Sequence, residues 1–326
     1  MISVCVPTYK GLSLLKKAID SVRNQTYGNY EIVICNDSQN DAKQLKAFVE
    51  SYKDPRIILY QNKTNLGYSR NVKQTYDKSK GEYVFLLAQD DVVLYKELFS
   101  EMIAVFKEHP EVGAITRPYY WFVDDINVPI RMIPKIRKRI LDVRKNPEDI
   151  NYIIETVGQL SGLFFKRSCV EMDFTPLVFT AHIRPFLSIL RNSKCYYMPK
   201  FTTAIGTESS QTRFLSSIYS PSPTKTWVEM LSEVFSGDEF KKVRGTSIDH
   251  MCQNYVGFLQ IKNYGFYKDL LVDIYYLLKF RPQNVFAPKF WVFTLASLLV
   301  PRLVLRWVVD NYKKEINRKK LSGILK

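Results

Sequence analysis

The chain has 326 residues, 46% of them hydrophobic and 24% charged, a balance that excludes a disordered or fibrous protein and allows one large or two moderate cores. Its 47 Lys and Arg against 32 Asp and Glu leave a formal net charge of +15, which points to acidic partners. The five cysteines, Cys5, Cys35, Cys169, Cys195 and Cys252, are scattered without Cys-x-x-Cys spacing, which excludes a zinc ribbon and favours reduced thiols over a disulfide framework.

The pattern predicts a strand over Ile2–Val6, and Met1–Val6 lacks the basic leader and apolar stretch of a signal peptide. Leu12, Leu14, Leu15, Ala18, Ile19 and Val22 then recur at helical spacing. Glu31–Cys35 follows as a strand, Ala42–Tyr52 as a helix, Arg56–Tyr60 as a strand, Ser69–Ser79 as a helix and Tyr83–Leu87 as a strand. Such alternation implies parallel strands joined by crossover helices in one open α/β sheet. Val112–Thr116 is a further strand. Tyr119-Tyr120-Trp121 fits equally an aromatic wall for a sugar and ordinary core packing, while Asp124 and Asp125 are expected to face solvent.

Between residues 131 and 145, Ile133, Ile136, Ile140 and Val143 stand at helical spacing against a basic face, predicting an amphipathic helix at a membrane surface. Pro221-Ser222-Pro223 is expected to be a linker between a domain over 1–215 and a helical region over 224–326. There Tyr267–Phe280 is helical, and Phe290–Pro301 is uncharged and apolar. A helix that short spans about 18 Å against a hydrocarbon core of about 30 Å, so it does not cross. Trp291 and Trp307, flanked by Arg302 and Arg306, instead suit a helix lying in the headgroup region, with a soluble bundle or a dimer face as the alternative. The basic tail, Lys313, Lys314, Arg318, Lys319, Lys320 and Lys326, adds attraction for an anionic membrane surface. Nucleic acid ranks below membrane, because no helix-turn-helix, zinc spacing or RNA-binding aromatic signature accompanies the charge.

The most informative residues are Asp90 and Asp91, two adjacent carboxylates ending the apolar run Tyr83-Val84-Phe85-Leu86-Leu87-Ala88-Gln89. A strand buried on both faces that ends in two like charges calls for a cation, and a divalent metal carrying phosphates fits. In open α/β sheets ligands bind beyond the carboxyl ends of the strands. Pro7-Thr8-Tyr9, Asn36-Asp37-Ser38 and Gln89-Asp90-Asp91 occupy those positions and are expected to share one crevice. In Asn65-Leu66-Gly67-Tyr68-Ser69-Arg70-Asn71, Gly67 permits a tight turn and Arg70 offers a donor fork suited to phosphate. The Gly-rich turn of a dehydrogenase is missing after the first strand, as is a P-loop.

Val6-Pro7-Thr8-Tyr9, Ile34-Cys35-Asn36-Asp37-Ser38-Gln39-Asn40-Asp41, Asn65-Leu66-Gly67 leading to Arg70-Asn71, and Leu87-Ala88-Gln89-Asp90-Asp91 follow the motif order of family 2 glycosyltransferases. The chain resembles that family over roughly its first third, each motif weak alone and the ordered set strong. The resemblance implies a GT-A fold, a Rossmann-like open mixed sheet flanked by helices, with 1–117 as the nucleotide-sugar half and 118–215 as the acceptor half. It implies that Pro7, Thr8, Tyr9 and Asp37 hold the nucleoside, Asp37 accepting from the base ring, which favours uracil or thymine. Asn65, Gly67 and Arg70 would lie near the nucleotide. Gln89 and Asp90 would touch the donor, Asp90 at the ribose or the metal shell, and Asp91 would ligate Mn²⁺ or Mg²⁺. Ala88 stands where the family often has another Asp, leaving a two-carboxylate site completed by waters and phosphate oxygens.

The same resemblance aligns Gly158–Arg167 with a glycine-containing strand on the acceptor side and puts the base, an Asp of a Glu-Asp pair, at a helix start fifteen to twenty residues on. Here Phe179–Leu187 has no carboxylate. His182 falls nearest and its ordinary pKa suits base work, with Asp173 and Glu208 as alternatives that a loop could bring in. The expectation is an inverting transferase that moves a sugar from a nucleotide-diphosphate sugar to a lipid-linked saccharide, peripheral on the cytoplasmic face of the plasma membrane. The resemblance implies bacterial surface-polysaccharide assembly, O-antigen included. A sugar nucleotidyltransferase would need a Gly-rich loop after the first strand, and a noncatalytic membrane scaffold would bind no donor.

Overall fold

The computed structural model describes residues 1–133, 135–137, 139–207, 216–309 and 311. The chain divides into two units, Met1–Ser209 and Ser210–Lys326.

The first unit opens with β1 (Ile2–Thr8), α1 (Leu12–Arg23), β2 (Tyr30–Asn36), α2 (Ala42–Ser51), β3 (Ile57–Gln61), α3 (Tyr68–Lys78) and β4 (Tyr83–Leu86). Every element expected up to Leu87 is present, within one or two residues at its ends. Helix α1 hides Leu15, Ala18, Ile19 and Val22, the stripe its spacing dictates, while β1 and β2 are buried on both faces, as parallel strands between helix layers must be.

Next come β5 (Val92–Val93), α4 (Leu98–Glu108), β6 (Val112–Thr116), β7 (Tyr119–Phe122), β8 (Arg131–Met132), β9 (Ile140–Leu141), α5 (Asp149–Val157), β10 (Phe164–Lys166), α6 (Ile183–Ser188), β11 (Lys194–Tyr197) and β12 (Thr203–Gly206). They build an eight-stranded mixed sheet in the order β3-β2-β1-β4-β10-β6-β11-β9 and a four-stranded sheet in the order β5-β12-β7-β8. Strand β10 runs antiparallel between β4 and β6, placing Phe164 opposite Phe85 and Ile115. Phe164 also packs against Tyr83 and Phe106, so aromatic burial holds the insertion.

Three expectations are corrected. Residues 131–145 form no helix among those described: Met132 pairs with Tyr120 and Ile140 with Tyr196, at the edges of the two sheets. Two of the segment's basic residues lie on aromatic rings, Arg131 at 4.6 Å from the Trp121 centroid and Lys135 at 4.8 Å from Phe201, contacts that periodicity cannot reveal. The glycine-containing strand expected over 158–167 shrinks to Phe164–Lys166, because Gly162 turns the chain at φ +91°. Pro221-Ser222-Pro223 is a helix start rather than a linker: Ser222 caps α7 (Pro223–Val234) by accepting from Lys225 N–H at 3.2 Å, with Pro223 in the first turn. Tyr119 and Tyr120 are core, Trp121 is half-buried, and Asp124 and Asp125 are exposed as expected.

The second unit continues with α8 (Lys241–Met251), α9 (Val256–Tyr264), α10 (Tyr267–Phe280), α11 (Pro288–Leu299) and a helix over 302–309. No described helix is long and apolar enough to cross a membrane. Helix α10 packs on α7 and α9, and its buried Asp273 accepts from Thr224 N–H at 3.0 Å, satisfying an orphan donor of α7.

Burial pushes the Asp273 carboxyl from 3.8 up to about 6. The folded state therefore keeps a proton that the unfolded chain releases, and the stability this group contributes is lost as pH rises through that window and present below it. Asp273→Asn keeps an acceptor for Thr224. It should raise Tm at about pH 7.5 and change it little at about pH 4.5; equal shifts in thermal denaturation at both pH values would contradict this.

Candidate functional site

Strands β1, β2 and β3 are in parallel register, Thr8 opposite Asn36 and Asn36 opposite Gln61, so their carboxyl ends form one rim. A buried amide network ties it together. Asn71 of α3 donates to Cys35 O at 3.0 Å and to Thr8 O at 3.3 Å, and accepts from Asn62 at 2.9 Å. Asn36 donates to Ser38 O at 2.8 Å and to Gln61 at 2.9 Å.

Asp37 is 2% exposed. Its Oδ1 accepts from Asn62 Nδ2 at 2.9 Å and Leu66 N–H at 2.7 Å, and its Oδ2 from Gly67 N–H at 2.8 Å. The carboxylate thus holds the turn leading into α3, and Oδ2 keeps lone-pair capacity for one more donor. Gly67 sits at φ +79°, a conformation that disfavours any side chain. Asn65 is exposed and its Oδ1 shares the Gly67 N–H at 2.9 Å, while Arg70 is exposed on the first turn of α3.

Gln89 works inward. Its Oε1 accepts from the Thr8 hydroxyl and from Tyr9 N–H at 2.8 Å, and its Nε2 donates to Tyr9 O at 3.1 Å, pinning the loop after β1 beside Asp90. A side chain at Gly11 would run into Gln89, so the clamp requires glycine there. Pro7 is half-buried and Tyr9 is 39% exposed on that loop.

Asp91 is 2% exposed and held from two sides. Its Oδ2 accepts from the Ser161 hydroxyl and its Oδ1 from Gly206 N–H at 2.7 Å, while Ser161 Oγ itself accepts Ala88 N–H at 2.7 Å. Pairing of β5 with β12 brings Gly206 there, and a Cβ on it would collide with the carbonyl of Asp90. Burial first, and the charge of Asp90 second, push the Asp91 carboxyl well above the usual range. Burial, then Asp91 and Asp90, likewise raise the Tyr68 phenol. Asp90 is half-buried, the more open of the two.

The loop carrying Ser161 is built around Arg117, which is 0% exposed. Its guanidinium donates to Thr156 O at 3.0 Å, to Gln159 O at 2.9 Å, and through Nε to Ser161 O at 2.8 Å. A Cβ on Gly162 would come within 2.7 Å of Arg117 Nε, so the turn closes on this side chain only with glycine. Arg117, Ser161 and Gly206 were not identified from sequence. Arg117 did carry a signal, a lone charge inside the apolar run from Val112 to Phe122.

The proposed bases diverge. His182 is 4% exposed, Nε2 lies 3.0 Å from Val157 O, and the buried Nδ1 has no hydrogen-bond partner. Because a carbonyl only accepts, Nε2 carries the proton. Burial pulls the ring down to about 4, opposed by the bond to Val157 and aided by Arg117, so the imidazole is neutral near pH 7. Asp173 is exposed and pairs with Lys73 of α3 at 3.2 Å. Glu208 lies outside the described residues.

The donor chemistry of the Asp90–Asp91 corner fits a hard divalent cation. Neutral donors hold Asp91, the nearby buried cation Arg117 spends its N–H groups on carbonyls, and burial beside Asp90 disfavours a charged Asp91, a cost that such an ion would relieve. No three described His, Cys, Asp or Glu side chains cluster as a complete cage, which leaves further ligands to water and phosphate oxygens.

The profile of glycosyl transferase family 2 matches residues 3–163. The putative colanic acid biosynthesis glycosyl transferase WcaA of Escherichia coli (strain K12) is 32% identical over 111 residues, 34% of this chain and 38% of that one. Such matches span 13% to 61% of the length of the curated relatives. The crystal structure of S. aureus TarS 1-349 in complex with UDP-GlcNAc superposes with a TM-score of 0.63 at 15% identity, over 99% of this chain and 93% of that one. The mannosyltransferase PcManGT from Pyrobaculum calidifontis, in complex with GDP-Man and Mn²⁺, gives a TM-score of 0.50 at 12% identity, over 93% and 86%. At these identities the likeness shows the fold: a GT-A-like mixed sheet with flanking helices and a carboxyl-terminal helical region.

Arg117→Met would strip donors from two buried carbonyls and one partly buried one. It should cost about 3–5 kcal/mol in urea denaturation, with Arg117→Lys recovering only part; a loss below about 1 kcal/mol would contradict the assignment.

Proposed function

Since the chain belongs to glycosyl transferase family 2 through residues 3–163, we propose that it transfers a sugar, with inversion, from a nucleoside-diphosphate sugar to a hydroxyl of a saccharide acceptor. The observation that carries this reading is the carboxylate pair at the end of β4, anchored by Ser161 and Gly206 beside the clamped Thr8–Tyr9 loop and the Asp37 turn.

In this reading the nucleoside lies over Pro7, Thr8 and Tyr9, with the free lone pair of Asp37 Oδ2 turned to the base. Arg70 and the Asn65–Gly67 turn meet the phosphates. A uridine donor is favoured, supported by the UDP-GlcNAc complex of TarS. Asp91 and Asp90 would hold Mn²⁺ or Mg²⁺, which when bound neutralises charge on the departing diphosphate. The acceptor oxygen bonds to the anomeric carbon as the carbon–oxygen bond to the diphosphate breaks, the electron pair leaving with the phosphate oxygen and the hydroxyl proton passing to the base. A single displacement inverts the configuration.

For the base, exposure favours Asp173 over His182: the carboxylate can meet an acceptor, whereas the imidazole is enclosed and drawn down to about 4. The acceptor is proposed to be a lipid-linked saccharide at the cytoplasmic face of the membrane, in surface-polysaccharide assembly; the colanic acid role named for WcaA supports this.

Two experiments test the reading. In a thermal-shift screen with Mn²⁺, a UDP-sugar should raise Tm through preferential binding to the folded state, and Asp91→Asn should lower donor turnover at least about 100-fold. Failure of every nucleotide sugar to shift Tm would sink the proposal. Asp173→Asn should lower kcat about 10²- to 10⁴-fold with donor affinity unchanged. Normal turnover in that variant, with loss in His182→Gln, would return the role to His182.

A further inference from the structure

Helix α11 is inside out. It buries Phe290, Thr294 and Ser297, and the Thr294 and Ser297 hydroxyls find no hydrogen-bond partner there. Its other face exposes Val292 at 65%, Leu295 at 49% and Leu299 at 75%. The helix over 302–309 buries Leu305 but also turns apolar side chains outward, with Leu303 at 81% and Trp307 at 68%, and Phe286 ahead of α11 is 86% exposed. A helix in water hides its apolar stripe, so two successive helices that turn theirs outward await an apolar phase.

Charge decides which one. Residues 281–309 contain Lys289, Arg302 and Arg306, besides an Arg281 paired with Asp249 at 3.0 Å, and not one Asp or Glu. A second copy meeting this face by two-fold symmetry would set the same cations against one another. An anionic lipid surface supplies the missing phosphates and an acyl boundary for Val292, Leu295 and Leu299, and Trp307 suits the headgroup level. Twelve residues of α11 are too short to span the hydrocarbon core, which agrees with a helix that lies in the interface.

We infer that the outward faces of α11 and of the helix over 302–309 form a docking surface for an anionic membrane. The surface stands apart from the chemistry proposed for the nucleotide sugar, and its test involves no sugar transfer.

The full chain, purified and mixed with vesicles of phosphatidylglycerol or of phosphatidylcholine, is sedimented at low and high salt. Binding to the anionic vesicles should exceed that to the neutral ones at least about tenfold and weaken with salt. The double variant Leu295→Glu/Leu299→Glu changes only exposed positions, so its Tm should match the parent while vesicle binding falls at least about tenfold. Equal binding to both lipids, or full binding by the double variant, would overturn the inference. So would light scattering that finds a lipid-free dimer converted to monomer by the double variant, which would assign the face to a second copy.

Discussion

The site depends on one buried carboxylate. Asp91 lies in the turn that follows the central strand β4, where burial and the charge of its neighbour both oppose ionisation, and two other parts of the chain come to meet it. Ser161 arrives from the loop before β10 and Gly206 from the end of β12. A carboxylate so placed is tolerable only while those donors are present, which couples the geometry of the corner to the assembly of both sheets.

That coupling explains features that look unrelated along the chain. Strand β10 is three residues long, yet its aromatic packing fixes the loop that carries Ser161. Arg117 fills the inside of that loop, and Gly162 leaves the space for it. Gly206 can approach because nothing larger would clear the Asp90 carbonyl. On the other flank Gln89 bonds through its amide oxygen and its amide nitrogen to the loop after β1, so it acts as a clamp. The rim is therefore held rigidly before any ligand arrives, the condition under which electrostatic stabilisation costs least during reaction.

The strand-helix alternation through Leu87 was legible because each element declares itself within its own residues, by a period of two or 3.6, and the crossover rule then orders the strands. The positions of Thr8, Asp37 and Asp91 were legible for the same reason, as polar residues at or just beyond strand ends. The partners of Asp91 were not, since they lie 70 and 115 residues away and only folding brings them close. The segment over 131–145 misled because Ile133, Ile136, Ile140 and Val143 match a helical period by chance of spacing, while sheet edges and aromatic rings offered its backbone and charges better partners. His182 shows another limit: its ordinary pKa suggested a base, but the sequence could not show that folding would bury the ring against Val157. Helix α11 was legible as apolar, but only the structure reveals that it faces outward.

The central claim is that Asp90 and Asp91 form the metal and diphosphate corner of a nucleotide-sugar site. Its most direct test is a crystal of the full chain grown with a uridine diphosphate and Mn²⁺, with the anomalous signal of manganese measured. The account predicts a peak within about 2.5 Å of a carboxylate oxygen of this pair, with the diphosphate on the same ion. A peak elsewhere, or a nucleotide bound away from Thr8 and Asp37, would contradict it.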